Sequence, residues 1–182
     1  LHGTATGELL DGIVARLPTV EVAEPEDERP RFVIAGRPNV GKSSLLNALL
    51  GHERALVHET PGTTRDSIDT VVETDDGPVR FIDTAGMRRR ARIDERTEYY
   101  SLVRALRSLD TADVALLLID ATGGVTHQDQ RLAERVDAAG CPIVVLLNKW
   151  DLCDAGQRAD VTDQVGQKLH FVGEAPVIKI SA

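Results

Sequence analysis

The chain has 182 residues, 42% of them hydrophobic, which suits one domain with its own core. A formal net charge of −8 argues against general affinity for nucleic-acid phosphates, though not against a local basic patch, and 3% aromatic content argues against a base-stacking platform. No apolar run approaches the roughly 18 residues of a membrane span, no signal peptide is legible, and Cys141 and Cys153 match no metal-ligand spacing, so a cytoplasmic domain with two reduced thiols and no membrane partner is expected.

In chain order, residues 8–17 carry Leu9, Leu10, Ile13, Val14 and Leu17 on one face of a short helix that ends near Pro18. EVAEPEDERP, residues 21–30, is acidic, holds two prolines and reads as a solvated linker. RFVIAG from residue 31 reads as a buried strand, and KSSLLNALLG as a helix with Gly51 as its C-cap. Residues 52–66 lack periodicity and read as a loop. SIDTVVE and VRFID flank Asp75-Asp76-Gly77, a hairpin signal. Residues 84–97 read as loop, followed by a helix over YYSLVRALRSL. DVALLLID and CPIVVLLN are continuous apolar runs, as in strands covered on both faces. Between them HQDQRLAERVDAAG reads as a helix ending at Gly140; another helix around 158–171 leads to a last strand, PVIKI. Strands alternating with helices predict an α/β fold with a mostly parallel sheet.

Gly36, Arg37, Pro38, Asn39, Val40, Gly41, Lys42 and Ser43, with Ser44 behind them, match a phosphate-binding loop placed between a strand and a helix. The glycines let the backbone turn its N–H groups toward phosphate oxygens, and the N-terminus of the following helix favours negative charge. Lys42 would supply positive charge to the β- and γ-phosphates, and Ser43 a hydroxyl to Mg²⁺. Asp83, at a strand end, would hold the magnesium, while Thr84, Ala85 and Gly86 complete a turn in which the Gly86 N–H can approach the γ-phosphate. Where many nucleotide hydrolases have a water-orienting glutamine, this chain has Met87, whose thioether cannot position a water.

Asn148, Lys149, Trp150 and Asp151 follow the strand IVVLL. A carboxylate at Asp151 can accept from guanine N1–H and the 2-amino group, neither of which adenine offers; such sites discriminate by roughly 10⁴. The bland alternative for Asp151 is a helix N-cap. Asn148 would brace the surrounding loops, the Lys149 stem would cover the base, and the Ala182 N–H, beside Ser181, would meet the guanine 6-oxo group.

GRPNVGKSSLLNALLG, TPGTTRDSID, DTAGMRRR, LLIDATGGVTHQDQRL and NKWD together resemble the translation-factor-related GTPases. They are closest to the second GTPase domain of a bacterial branch with two tandem GTPase domains and a KH-like domain. The resemblance covers residues 31–182. It implies a P-loop GTPase (Ras-like) three-layer fold, a six-stranded, mostly parallel sheet with helices on both faces. It implies a GTP-hydrolysing switch that acts in assembly of the large ribosomal subunit, with that subunit and the neighbouring domains as partners. By the same pattern, residues 1–18 are the tail helix of a preceding GTPase domain, 19–30 an acidic linker, and 31–182 a GTP-binding domain without its own final helix. Thr64, with Thr63 as competitor, is the switch threonine that reaches Mg²⁺, and His52 and His58 are surface residues of that loop. Arg88, Arg89, Arg90 and Arg92 are either a solvated face or a partner contact. Related GTPases with a hydrophobic residue at the glutamine position include members that use potassium, which makes Asn39 an expected K⁺ ligand, against the bland alternative that it caps its own loop by hydrogen bonding to backbone. Lys42, Asn39, Thr64 and Gly86 are thus the expected catalytic set, against the alternative of a slow GTP sensor suggested by Met87.

Overall fold

The computed structural model describes residues 28–51, 69–84 and 108–182. The helix expected over 8–17, the loop over 52–66, the segment 85–97 and most of the helix expected before Leu109 lie outside those residues, as do the tail and all but the end of the linker.

Six strands form one sheet: β1 (Arg31–Ala35), β2 (Thr70–Thr74), β3 (Gly77–Phe81), β4 (Val114–Asp120), β5 (Ile143–Asn148) and β6 (Val177–Lys179). Their order is β2-β3-β1-β4-β5-β6. Only the β2–β3 hairpin is antiparallel; β3, β1, β4, β5 and β6 run parallel. Gly77, read from sequence as part of the turn, opens β3 with φ 115°, and Thr74 pairs with it across the hairpin. Pro78 is tolerated in β3 because pairing with β1 starts only at Arg80, so its missing N–H interrupts no ladder on that side.

Alternation along the central strands separates two apolar layers. Val33, Ala35, Ala115, Leu117, Ile119, Val145 and Leu147 face one way and pack with Leu132, Ala133 and Val136 of α2 (His127–Ala138) and Val161 and Val165 of α3 (Ala155–Lys168). Ile34, Leu118 and Leu146 face the other way and pack with Leu45 and Leu46 of α1 (Lys42–Gly51). The result is the expected arrangement, a mostly parallel sheet between helical layers.

The helix ends differ from the sequence reading in physically simple ways. Gly51 is helical, and the residues that would show whether it lies at the end of α1 are outside the described ones. Gly140 does end α2: with φ 70° it donates its N–H to Asp137, and Cys141 N–H reaches Val136, the paired bonds of a Schellman turn. Helix α3 starts at Ala155, ahead of the expected 158, because Asp154 and Gln157 form a capping box: Gln157 N–H donates to Asp154 Oδ1 over 2.9 Å and Gln157 Oε1 accepts from Asp154 N–H over 3.0 Å. It stops at Lys168, and His170–Val172 is a separate 3-10 turn. Cys141 and Cys153 are both free and buried, as two reduced thiols would be.

Candidate nucleotide site

Five parallel strands deliver their carboxyl ends to one edge of the sheet. The chain leaves β1 at Gly36 and β3 before Asp83, β4 ends at Asp120, β5 at Asn148, and β6 runs into Ser181-Ala182. The helix after β1 packs on one face of the sheet and the helix after β4 on the other. Between these neighbouring strands the connections diverge, the place where open α/β sheets form a ligand crevice.

The loop from Gly36 to Gly41 lies in that crevice, and its two glycines are there for close approach. A Cβ on Gly36 would lie 2.6 Å from the Leu118 carbonyl oxygen, and one on Gly41, where φ is 101°, would collide with Asn148 Nδ2. Asn39 takes φ 60°, a left-handed conformation that asparagine tolerates better than most residues. Lys42, the first residue of α1, is buried, and its ammonium folds back over the loop to donate to the Gly36 carbonyl at 2.7 Å and the Arg37 carbonyl at 2.6 Å. Pro38, Asn39 and Ser44 are exposed, Val40 is buried in the α1 layer, and Ser43 is half-buried.

The 148–151 segment is tied to this loop twice. Asn148, fully buried, donates from Nδ2 to the Val40 carbonyl over 2.8 Å and accepts the Ala182 N–H at Oδ1 over 3.0 Å. Lys149, with φ 61°, donates to the Asn39 carbonyl at 3.1 Å and to Asp120 Oδ2 at 2.6 Å. Asp120 is also held by the N–H and hydroxyl of Thr122. Burial works against its charge, but the hydrogen bonds from Lys149 and Thr122, with the ammonium's charge, hold its pKa below the ordinary carboxylate value. Trp150 packs against the core, with the Lys179 ammonium 5.0 Å and the Arg158 guanidinium 5.5 Å from its ring centroid.

Asp151 lies in a 3-10 turn over Trp150–Leu152, and its N–H donates to Ser181 Oγ. The cap of α3 is Asp154, so the N-cap alternative for Asp151 does not hold. Its carboxylate is exposed and has no partner among the described residues. Sequence reasoning assigns the Ala182 N–H to a guanine oxygen; here that N–H is donated to Asn148.

Asp83 stands just beyond β3 with φ 54°, its N–H donated to Asp69 Oδ1 at 3.2 Å, while Asp69 pairs with Arg80 at 3.4 Å. Thr84 is fully buried and shares a 2.7 Å hydroxyl–hydroxyl bond with Thr70 of β2. Thr64, Ala85, Gly86 and Met87 lie outside the described residues.

Sequence reasoning missed three carboxylates here. Asp120 carried a signal, since it ends a strand as Asn148 does and as Asp83 nearly does. Asp69 and Asp129 carried none: Asp129 looks like an ordinary first-turn acid of α2, yet it is fully buried and lies 3.3 Å from Arg37 Nε.

Comparison with known proteins places these features. Residues 31–149 match the family described as 50S ribosome-binding GTPase. The whole chain aligns with GTPase Der of Symbiobacterium thermophilum at 50% identity, covering 39% of that protein, and with GTPase Der of Desulforudis audaxviator at 48%, covering 42%. The chain thus spans about two fifths of the length of these curated relatives. Among solved structures, Aquifex aeolicus Era bound to GDP and AlF4⁻ superposes with a TM-score of 0.59 at 28% identity, over 83% of this chain and 50% of that one. Methanococcus maripaludis SelB with the GTP analogue GppNHp gives a TM-score of 0.62 over 87% of this chain and 31% of that one; at 20% identity it speaks for the fold alone.

Proposed function

The chain belongs to the 50S ribosome-binding GTPase family, a GTP-binding and GTP-hydrolysing switch domain on a P-loop fold, and on that premise we propose which of its residues bind and turn over the nucleotide. The observation that carries the assignment is Asn148. One buried amide joins the Val40 carbonyl to the Ala182 N–H, so a single side chain holds the phosphate loop, the 148–151 segment and the 181–182 turn in one cluster.

In this reading Gly36, Arg37, Pro38, Asn39, Val40, Gly41, Lys42, Ser43 and Ser44 cradle the phosphates. The Lys42 ammonium, held among loop carbonyls, exchanges them for phosphate oxygens, a stronger charge-assisted contact. Asp151 presents its unpartnered carboxylate to the guanine edge. Asn148, Lys149 and Trp150 hold the loop that carries it, and Ser181 fixes its backbone. Adenine would leave that carboxylate desolvated and unpaired, which disfavours ATP.

Ser43, Asp83 and, from its motif, Thr64 are hard oxygen donors of the kind that hold Mg²⁺, whose chemistry is to neutralise charge on the phosphates. Asp83, Thr84, Ala85, Gly86 and Met87 would line the γ-phosphate side. The Asn39 side chain is exposed and has no partner among the described residues, which supports the reading that its carbonyl oxygen is open to a K⁺ ion. In the full-length protein we propose a cytoplasmic role in large-subunit ribosome assembly, beside a second GTPase domain and a KH-like domain in the same chain.

Phosphate release from GTP by the purified chain with Mg²⁺ tests the proposal. Release over many turnovers without any partner is the expected result. GTP binding without release would favour the slow sensor that Met87 suggests, and no GTP binding would overturn the assignment.

A further inference from the structure

Arg37 carries the most prominent charge in the phosphate loop, and a positive side chain there would ordinarily be assigned to the phosphates. Its guanidinium instead turns toward α2. Arg37 Nε lies 3.3 Å from Asp129 Oδ2, and the Asp129 side chain is fully buried while that of Arg37 is 24% exposed. The same carboxylate oxygen accepts the Thr126 N–H at 2.9 Å and the Thr126 hydroxyl at 2.7 Å, the capping box of α2. Asp129 is therefore fixed from its own element. The turn ahead of it is fixed as well: Gln164 of α3 accepts the Val125 N–H at 3.0 Å, and Lys168 donates to the Val125 carbonyl at 2.6 Å.

The pairing is close in distance but lacks hydrogen-bond geometry. Arg37 Nε and Asp129 Oδ1 are both buried without a hydrogen-bond partner. A buried carboxylate oxygen of this kind is costly, and the donor nearest to hand is the guanidinium that already faces it. A small movement of the loop toward α2 would turn a one-point contact into a two-point one. Gly123 lets the guanidinium pass: a Cβ there would lie 3.2 Å from Arg37 Nη2.

We propose that Asp129 is a positioning residue for the phosphate loop, acting through Arg37, and that the pair tightens when the loop holds a diphosphate. This rests on the assignment of residues 36–44 to the phosphates. The role of the Arg37 side chain is then to anchor the loop, and only its backbone faces the phosphates.

The two roles predict opposite results. If Arg37 served the phosphates, Asp129→Asn would release it to them and GDP would bind more tightly. If Asp129 positions the loop, Asp129→Asn and Arg37→Gln should each weaken GDP by about tenfold, with much less effect on GMP, which has no β-phosphate for the loop to hold. The double variant should be no worse than the weaker single one, because both remove one interaction. Competition of GDP and GMP against a fluorescent GDP reads all three. Arg37→Gln changes a loop residue and keeps the test open should Asp129→Asn fold poorly. Tighter GDP binding by Asp129→Asn, equal losses for GDP and GMP, additive losses or unchanged affinities would each overturn the proposal. A parent chain that binds no GDP at all would overturn the underlying site assignment, and this proposal with it.

Discussion

Asn148 Nδ2 donates to the Val40 carbonyl over 2.8 Å from a fully buried position. Its amide oxygen Oδ1 accepts the Ala182 N–H. Truncation by Asn148→Ala leaves a carbonyl and an N–H without their partner and should cost about 1–3 kcal/mol of stability. Urea unfolding of the nucleotide-free chain checks this, and GDP affinity should fall with it. Unchanged stability would mean that water replaces both bonds at no cost and that Asn148 does not organise the site.

The Asp120–Lys149 contact should be visible in the acid limb of stability. The folded carboxyl pKa lies below its ordinary value of 3.8. The stabilisation is therefore fully present above that ordinary value and is lost as pH falls through the lower folded one. Asp120→Asn should be less stable than the parent by a constant amount above about pH 5, with the gap closing below about pH 4. Unfolding midpoints across that range measure it, and a gap that stays constant at low pH would contradict the assignment.

Lys42 is buried, and its ammonium donates to the Gly36 and Arg37 carbonyls of the loop. Lys42→Ala should abolish detectable GDP binding while the far-ultraviolet circular dichroism stays that of the parent. Parent-like affinity would exclude the phosphate role.

Strand positions were legible in the sequence because β1, β4 and β5 are buried on both faces and read as unbroken apolar runs. Asn39, Lys42, Asn148 and Asp151 were legible because each belongs to a contiguous motif. The start of α3 was missed although Asp154 and Gln157 spelled out its capping box, because Gly156 hides the helical pattern between them. Asp129 was legible at most as the capping-box partner of Thr126. Its contact with Arg37, which arrives from a distant part of the chain, has no local pattern to mark it.

The exposed Asn39 side chain carries the potassium prediction. Phosphate release from GTP should rise when Na⁺ is replaced by K⁺ at constant ionic strength, and Asn39→Ala should remove that response while leaving GDP binding in place. Equal rates in the two salts would rule out the cation.

Asp151 tests the central claim most directly, since its carboxylate is exposed, has no partner among the described residues and belongs to the segment tied to the phosphate loop through Asn148 and Lys149. Asp151→Asn exchanges an acceptor for a group that can also donate, so it should weaken GTP and admit xanthosine triphosphate, whose 2-oxo group a carboxylate repels. Competition of the two triphosphates against a fluorescent GDP gives the answer. Reversal of the parent's preference for GTP is the predicted result; an unchanged preference would contradict the account.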